Sequence, residues 1–108
     1  MAMRPSKYRN KPIVVDGIRF ASKREAKRWG ELKLLEKAKE ITELERQTRW
    51  ALCTEDGVRV GHYVADFTYL QGHDRRVVVE DAKGVRTELY KWKKKHFEAQ
   101  YGIPITEV

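Results

Sequence analysis

The chain has 108 residues, the length of one domain, and its 41% hydrophobic content with three tryptophans predicts a folded chain with one modest core. It carries 23 lysines and arginines against 16 acids, and the net charge of +7 favours a polyanionic partner, because basic side chains that neutralise phosphates release counterions. No run of about 18 apolar residues is present, which argues against a membrane-spanning helix.

The first eleven residues have the composition of a basic arm. Prolines and polar residues surround the charged side chains without apolar periodicity, so residues 1–11 are predicted to be a flexible arm that contacts nucleic-acid phosphates through Arg4, Lys7 and Arg9. No apolar segment follows these basic residues, as it would in a secretory signal. The lone Cys53 has no partner for an internal disulfide, which fits a reducing cytoplasm.

Residues 12–108 are predicted to form a single domain. Turn residues such as Asp16-Gly17, apolar alternation and helix caps divide it into elements. In chain order these are a hairpin at 12–20, a helix from Ser22 to about Lys39, a strand within 41–53, strands at 62–70 and 76–82, a helix from Thr87 to the residue before Gly102, and a last strand at 103–108. This order predicts a mixed α/β fold, one sheet with helices packed on it.

The predicted strand at 62–70 alternates between apolar and other residues. Period-two geometry gives it one buried face, formed by Tyr63, Ala65, Phe67 and Tyr69. Asp66 is expected on the opposite face, with Val64 and Thr68. An acid in the middle of such a strand is a candidate site residue.

The next predicted strand runs into charged residues, because residues 77–84 read VVVEDAKG. The same geometry places Asp81 and Lys83 side by side on the face of Val77 and Val79, with Glu80 pointing the other way. If this strand pairs with the one before it, Asp81 meets Asp66.

Two converging carboxylates suggest a metal ion. They repel each other in a partly apolar cleft unless a divalent cation neutralises them, and Mg²⁺ prefers oxygen ligands. A lysine beside them, Lys83, would stabilise charge on a phosphorus under attack by water. The structural alternative is that Asp81 and Lys83 form a strand-end ion pair while Asp66 is solvated.

The two helices add further candidates. Glu25 lies within the apolar stripe of the first helix, although it also fits a capping box with Ser22. Lys93 lies in the apolar face of the second helix, where it either reaches an anion or extends its stem along neighbouring aromatic rings. Three lysines on the opposite face are expected to be solvated or to contact phosphates: Lys91, Lys94 and Lys95.

These motifs, in this order and spacing, resemble the PD-(D/E)XK nuclease superfamily, and most closely its small phage and prophage proteins. The matching motifs are F-x-S-x-x-E (Phe20, Ser22, Glu25), I-x-x-L-x-x-Q (Ile41, Leu44, Gln47), Y-x-A-D-F (Tyr63 to Phe67), V-E-D-x-K-G (Val79 to Gly84) and T-x-x-Y-x-x-K (Thr87, Tyr90, Lys93), with a terminal YGI. The likeness covers about residues 8–108. Ala65 stands where the eponymous proline is expected.

The resemblance implies a restriction-endonuclease-like mixed sheet flanked by helices. It implies Asp66 and Asp81 as Mg²⁺ ligands, with Mn²⁺ as a substitute, and Glu25 as an outer or second-metal ligand. It implies Lys83 as the catalytic lysine and Lys93 as an assisting residue of the active site. Some relatives resolve Holliday junctions, so the function it implies is a DNA endonuclease specific for branched DNA in phage recombination or replication.

Partners and alternatives follow from this interpretation. Cutting two strands with so small a chain would require a homodimer, acting in the cytoplasm of a bacterial host, without a membrane or a small-molecule cofactor. The alternatives are a monomeric nicking or end-processing nuclease and a non-catalytic DNA-binding module. Nothing in the sequence excludes RNA as the substrate.

Overall fold

The computed structural model describes residues 12–108, so the predicted basic arm with Arg4, Lys7 and Arg9 lies outside the described residues. Two sheets and two helices make up the described part. The elements are β1 (Ile13–Val15), β2 (Ile18–Phe20), α1 (Lys23–Lys37), β3 (Ile41–Cys53), β4 (Arg59–Gln71), β5 (Arg76–Asp81), α2 (Glu88–Tyr101) and β6 (Ile105–Glu107). The first two strands form a hairpin, and the other four form a mixed sheet in the order β3-β4-β5-β6.

The predicted fold class and element order are confirmed: a hairpin, a helix, three antiparallel strands, a helix and a final strand that pairs in parallel with β5. Some boundaries differ. The strand expected at 62–70 extends over Arg59–Gln71, and β3 is one strand of 13 residues. These two strands support each other over almost their whole length, which the alternation of either strand alone does not reveal.

Both helices begin at the predicted caps. The Ser22 hydroxyl accepts a hydrogen bond from the Glu25 backbone N–H at 3.2 Å, and Thr87 does the same for Tyr90 at 3.1 Å. The second helix ends at Gly102, whose φ of 69° is the left-handed conformation that glycine adopts without strain.

The core is divided into two clusters, one under each helix. The cluster under α1 contains Phe67 and Tyr69, whereas the cluster under α2 contains Tyr63 and Ala65. All four side chains are buried, but the prediction that they share one face of the strand is wrong. The strand turns its buried face from α2 to α1 between Ala65 and Phe67, and Asp66 lies at that change.

The sheet forks at the same point. Pairing of β5 with β4 begins at Phe67↔Glu80 and continues toward the turn, so within residues 12–108 β4 from Arg59 to Asp66 has no strand partner on its β5 side. Val77 and Val79 pack in the α2 cluster while Val78 packs in the α1 cluster, which confirms that β5 is covered on both faces. Among the described residues, no helix is long and apolar enough to cross a membrane.

Candidate active site

Asp66 lies in the fork between β4 and β5. Its Oδ2 accepts a hydrogen bond of 2.7 Å from the backbone N–H of Ala82, the residue that follows β5. Its Oδ1 accepts one of 3.3 Å from the side-chain amide of Gln47 on β3. The Asp66 side chain thus connects three strands where the backbone ladder is interrupted.

The protonation of Asp66 is strongly perturbed. The pKa of its carboxyl is raised to about 7, first by burial and then by the negative charges of Asp81 and Glu25, against the lowering effect of the Ala82 N–H. The pairing of β4 with β5 ends at Phe67↔Glu80, one position before Asp66 and Asp81, so the two acids lie at the same point of the fork. A carboxylate pair of this kind is what a divalent cation neutralises.

Asp81 is almost completely buried, with 1% of its surface exposed. Its Oδ2 accepts a hydrogen bond from the Tyr63 hydroxyl. Its Oδ1 is buried and forms an ion pair with the Lys83 ammonium at 3.0 Å, without a further hydrogen bond. The ion pair considered as the structural alternative exists, but it leaves a carboxylate oxygen with free acceptor capacity beside a second acid.

Glu25 joins this group from α1 and is 5% exposed. Its Oε1 lies 3.2 Å from the Gln47 amide nitrogen and 3.5 Å from the Arg46 guanidinium. Ser22 caps the helix, yet the Glu25 carboxylate points toward Gln47 and Arg46, and no described hydrogen bond returns it to the Ser22 N–H. The capping box therefore does not account for this buried acid.

The two candidate lysines have different surroundings. The Lys83 ammonium lies next to Asp81 and 4.4 Å from the centroid of the Tyr90 ring. Lys93 is half-buried and forms no ion pair with any described acid. Its positive charge acts on His62 and helps, after Arg49, to lower the pKa of that imidazole. Lys83 thus contacts the carboxylate of Asp81, whereas Lys93 belongs to the basic surface around Arg49 and His62.

The outer lysines of α2 are not equivalent. Lys91 lies 3.2 Å from Glu88, and Lys94 lies 3.7 Å from Glu107, so neighbouring acids partly neutralise both. Lys95 is exposed and has no described ion pair. Of the three candidate phosphate contacts, Lys95 carries the most available charge.

Sequence reasoning missed three features of the site. It gave no role to the Gln47 amide, although Gln47 belongs to the I-x-x-L-x-x-Q pattern. It identified Tyr63 as a core residue but not as the donor to Asp81. It also missed the contact of 3.0 Å between the Arg49 guanidinium and the His62 ring, because only the β3–β4 register brings these side chains together.

The donor set fits a hard divalent cation. Asp66 and Asp81 supply carboxylate oxygens, and the buried Oδ1 of Asp81 lacks a hydrogen bond. Within residues 12–108, no three acidic, histidine or cysteine side chains are placed closely enough to enclose a metal ion. The Gln47 amide lies between Glu25 and Asp66, which separates the third acid from the pair.

Comparison with known proteins gives one match. No curated protein and no solved structure matches the chain. The match is to a family described as "Protein of unknown function (DUF1064)", and it spans residues 5–104. Because this covers nearly the whole chain, the protein belongs to the DUF1064 family.

Proposed function

We propose that this protein is a Mg²⁺-dependent endodeoxyribonuclease that hydrolyses phosphodiester bonds in branched DNA. The observation that carries the proposal is that Asp66 and Asp81 lie together at the fork of the sheet, with the Lys83 ammonium 3.0 Å from Asp81 and the Gln47 amide connecting Glu25 to Asp66. The pKa of Asp66 is raised to about 7 there. Such perturbed acids cluster at functional sites. The resemblance to PD-(D/E)XK nucleases, read from the same residues, supports the same chemistry.

In this proposal, Asp66 and Asp81 hold the cation and Glu25 lies at its outer side. The bound cation would polarise the phosphoryl group and lower the pKa of its bound water. Tyr63 fixes the orientation of Asp81 through its hydroxyl. Lys83, held between Asp81 and the Tyr90 ring, presents its ammonium to the reacting phosphate and stabilises the negative charge that develops there.

The DNA-binding surface in this proposal begins at the fork and extends over the basic residues around it. Arg49 and Lys93 concentrate positive charge around His62, beside the unpaired half of β4, which suits the phosphate backbone. Lys95 and the arm residues Arg4, Lys7 and Arg9 extend it, with smaller contributions from Lys91 and Lys94 because acids partner them.

Three further parts of the proposal rest on the resemblance and on size. The substrate is a Holliday junction or similar branch formed in phage recombination or replication, inside the cytoplasm of a bacterial host. Mn²⁺ replaces Mg²⁺. The active form is a homodimer, because one chain carries a single set of these acids and two strands must be cut.

The test is an assay of the purified protein on four-way junction, flap, duplex and single-stranded DNA, with Mg²⁺ or with a chelator. We expect Mg²⁺-dependent cutting, preferentially of the junction. Asp66→Asn and Asp81→Asn should abolish cutting but retain DNA binding, whereas Asp74→Asn, in the exposed β4–β5 turn, should cut like the wild type. Near wild-type cutting by either of the first two variants would overturn the proposed site.

The same assay separates the alternatives. Single cuts by a monomer would favour a nicking or end-processing nuclease. Binding of DNA without cutting under any metal condition would favour a non-catalytic DNA-binding module. Cutting of RNA but not of DNA would show that the substrate is RNA.

A further inference from the structure

Gln47 has an unusual backbone for a residue in the middle of a strand. Its φ is 53°, in the left-handed region, which is strained for a residue other than glycine. The β3–β4 pairs continue on either side, at Arg46↔Phe67 and Thr48↔Ala65, but Gln47 and Asp66 do not pair. Strain of this kind persists where the surrounding structure imposes it, often at functional sites.

The Gln47 side chain contacts two of the three acids. Its Nε2 lies 3.2 Å from Glu25 Oε1 and 3.3 Å from Asp66 Oδ1, and among residues 12–108 no other side chain is hydrogen-bonded to both. One neutral amide therefore connects an acid on α1 to an acid on β4. Without it, Glu25 would keep the Arg46 guanidinium at 3.5 Å and Asp66 would keep the Ala82 N–H at 2.7 Å, but the two acids would share no donor.

We propose that Gln47 is a positioning residue of the cation site, whose amide holds Glu25 and Asp66 in the arrangement that binds the divalent cation. This inference rests on the proposed function, because it presumes that Asp66 and Asp81 hold that cation. Partners of this kind orient the groups that contact a metal, and their loss typically costs about 10–100-fold in metal affinity.

The chain contains a matched control for the backbone. Glu43, in the same strand, has a φ of 54°, nearly identical to that of Gln47. Its side chain is exposed and pairs with Arg75 at 3.3 Å, away from the site acids. A glycine at either position keeps the left-handed backbone without strain and removes the side chain. The two glycine variants therefore make the same backbone change, but only Gln47→Gly removes an amide from the cation site.

The experiment measures cation binding directly, by calorimetric titration with Mn²⁺ in the absence of DNA. We expect Gln47→Gly to weaken Mn²⁺ binding about 10-fold or more, and Glu43→Gly to bind like the wild type. Gln47→Asn is a second variant, since asparagine tolerates this backbone but its shorter amide cannot span both acids. Wild-type Mn²⁺ affinity in both Gln47 variants would overturn the inference.

A second readout uses the unmodified protein. In ¹⁵N-labelled protein, the Gln47 side-chain NH₂ resonances should shift saturably with Mg²⁺, at the midpoint at which the cation binds. Resonances that stay in place at saturating Mg²⁺ would contradict the inference.

The two proposals fail in distinguishable ways. Wild-type protein that binds no divalent cation would overturn the proposed function together with this inference. Wild-type protein that binds the cation and cuts DNA, with Gln47 variants that do so equally well, would overturn this inference alone.

Discussion

Arg28 on α1 forms a bidentate salt bridge with Glu80 on β5: its Nε lies 2.7 Å from Oε1, and its Nη2 lies 2.6 Å from Oε2. Glu80 is 1% exposed and also accepts a hydrogen bond from the Tyr69 hydroxyl. This explains the acid in VVVEDAKG that faces away from the site. The pair joins the helix that carries Glu25 to the strand that carries Asp81, so it also fixes the distance between those two elements.

Removal of Arg28 should strongly destabilise the protein. Arg28→Ala leaves Glu80 buried without its counter-charge, and we expect the free energy of unfolding to fall by about 3–5 kcal/mol. Arg24→Ala is the control on the same helix. Among the described residues, the Arg24 side chain makes one hydrogen bond, an exposed contact of 3.4 Å to the Val108 carbonyl, so this substitution should cost less than about 1 kcal/mol. Chemical denaturation of both variants measures this.

The double variant Arg28→Met with Glu80→Gln tests the same pair from the other side. It removes both charges and keeps an acceptor for Tyr69, so it should recover most of the stability lost in Arg28→Ala. Equal losses in the single and double variants would mean that the destabilisation has another origin than an unpaired charge.

The stability of the metal-free protein should depend on the ionisation of Asp66. The pKa of this carboxyl is raised to about 7 in the folded state, whereas the unfolded chain has an ordinary value near 3.9. The folded state thus binds the proton more tightly, and the resulting stabilisation is complete below about pH 4 and is lost as the pH rises through about 7.

Asp66→Asn removes this dependence. Relative to the wild type in a chelator, we expect the variant to gain stability between pH 4 and pH 8, by at most about 4 kcal/mol for a shift of about three pKa units, measured by denaturation at each pH. Saturating Mg²⁺ at pH 8 should stabilise the wild type but not the variant. A wild type and variant whose stabilities run parallel across this range would show that Asp66 titrates normally.

Lys83 should matter more to the chemical step than Lys93. Its ammonium lies 3.0 Å from Asp81, whereas Lys93 has no described acid partner and acts electrostatically on His62. We expect Lys83→Ala to slow cleavage about 100-fold or more, the scale of losing one preorganised donor. Lys93→Ala should cost less, and part of its effect should be weaker DNA binding. Single-turnover cleavage at saturating protein measures chemistry apart from binding; a slower Lys93 variant in that assay would reverse the assignment.

The basic surface beside the fork should account for part of the salt dependence of DNA binding. Arg49→Ala and Lys95→Ala should each reduce the slope of log affinity against log salt by about 0.9, as should removal of each phosphate contact in the arm. Lys33→Ala is the control, since Lys33 lies on α1 and is paired with Glu36 at 2.9 Å. Fluorescence anisotropy in a chelator measures the slopes, and an Arg49 variant with the wild-type slope would remove Arg49 from the interface.

Local pattern was sufficient to predict the elements and most of the candidate acids. Ser22 and Thr87 mark helix starts because their hydroxyls cap free N–H groups, and this depends on a few neighbouring residues. The VVV run predicted a strand covered on both faces, and the period of two placed Asp81 and Glu80 on opposite sides of it. These are properties of a short stretch of chain, so the sequence determines them without reference to distant parts.

Only the tertiary structure decided how the site is assembled. The alternation of β4 predicted one continuous buried face. In the structure, the left-handed backbone of Gln47 on β3 and the fork at Asp66 coincide with a change of the buried face of β4. The position at which a neighbouring strand stops pairing depends on that strand, so the local sequence of β4 does not predict it. The roles of Gln47 and Glu80 likewise depend on side chains 19 to 52 residues away in the chain. Such contacts arise when packing brings distant segments together, and their geometry is therefore a property of the whole fold.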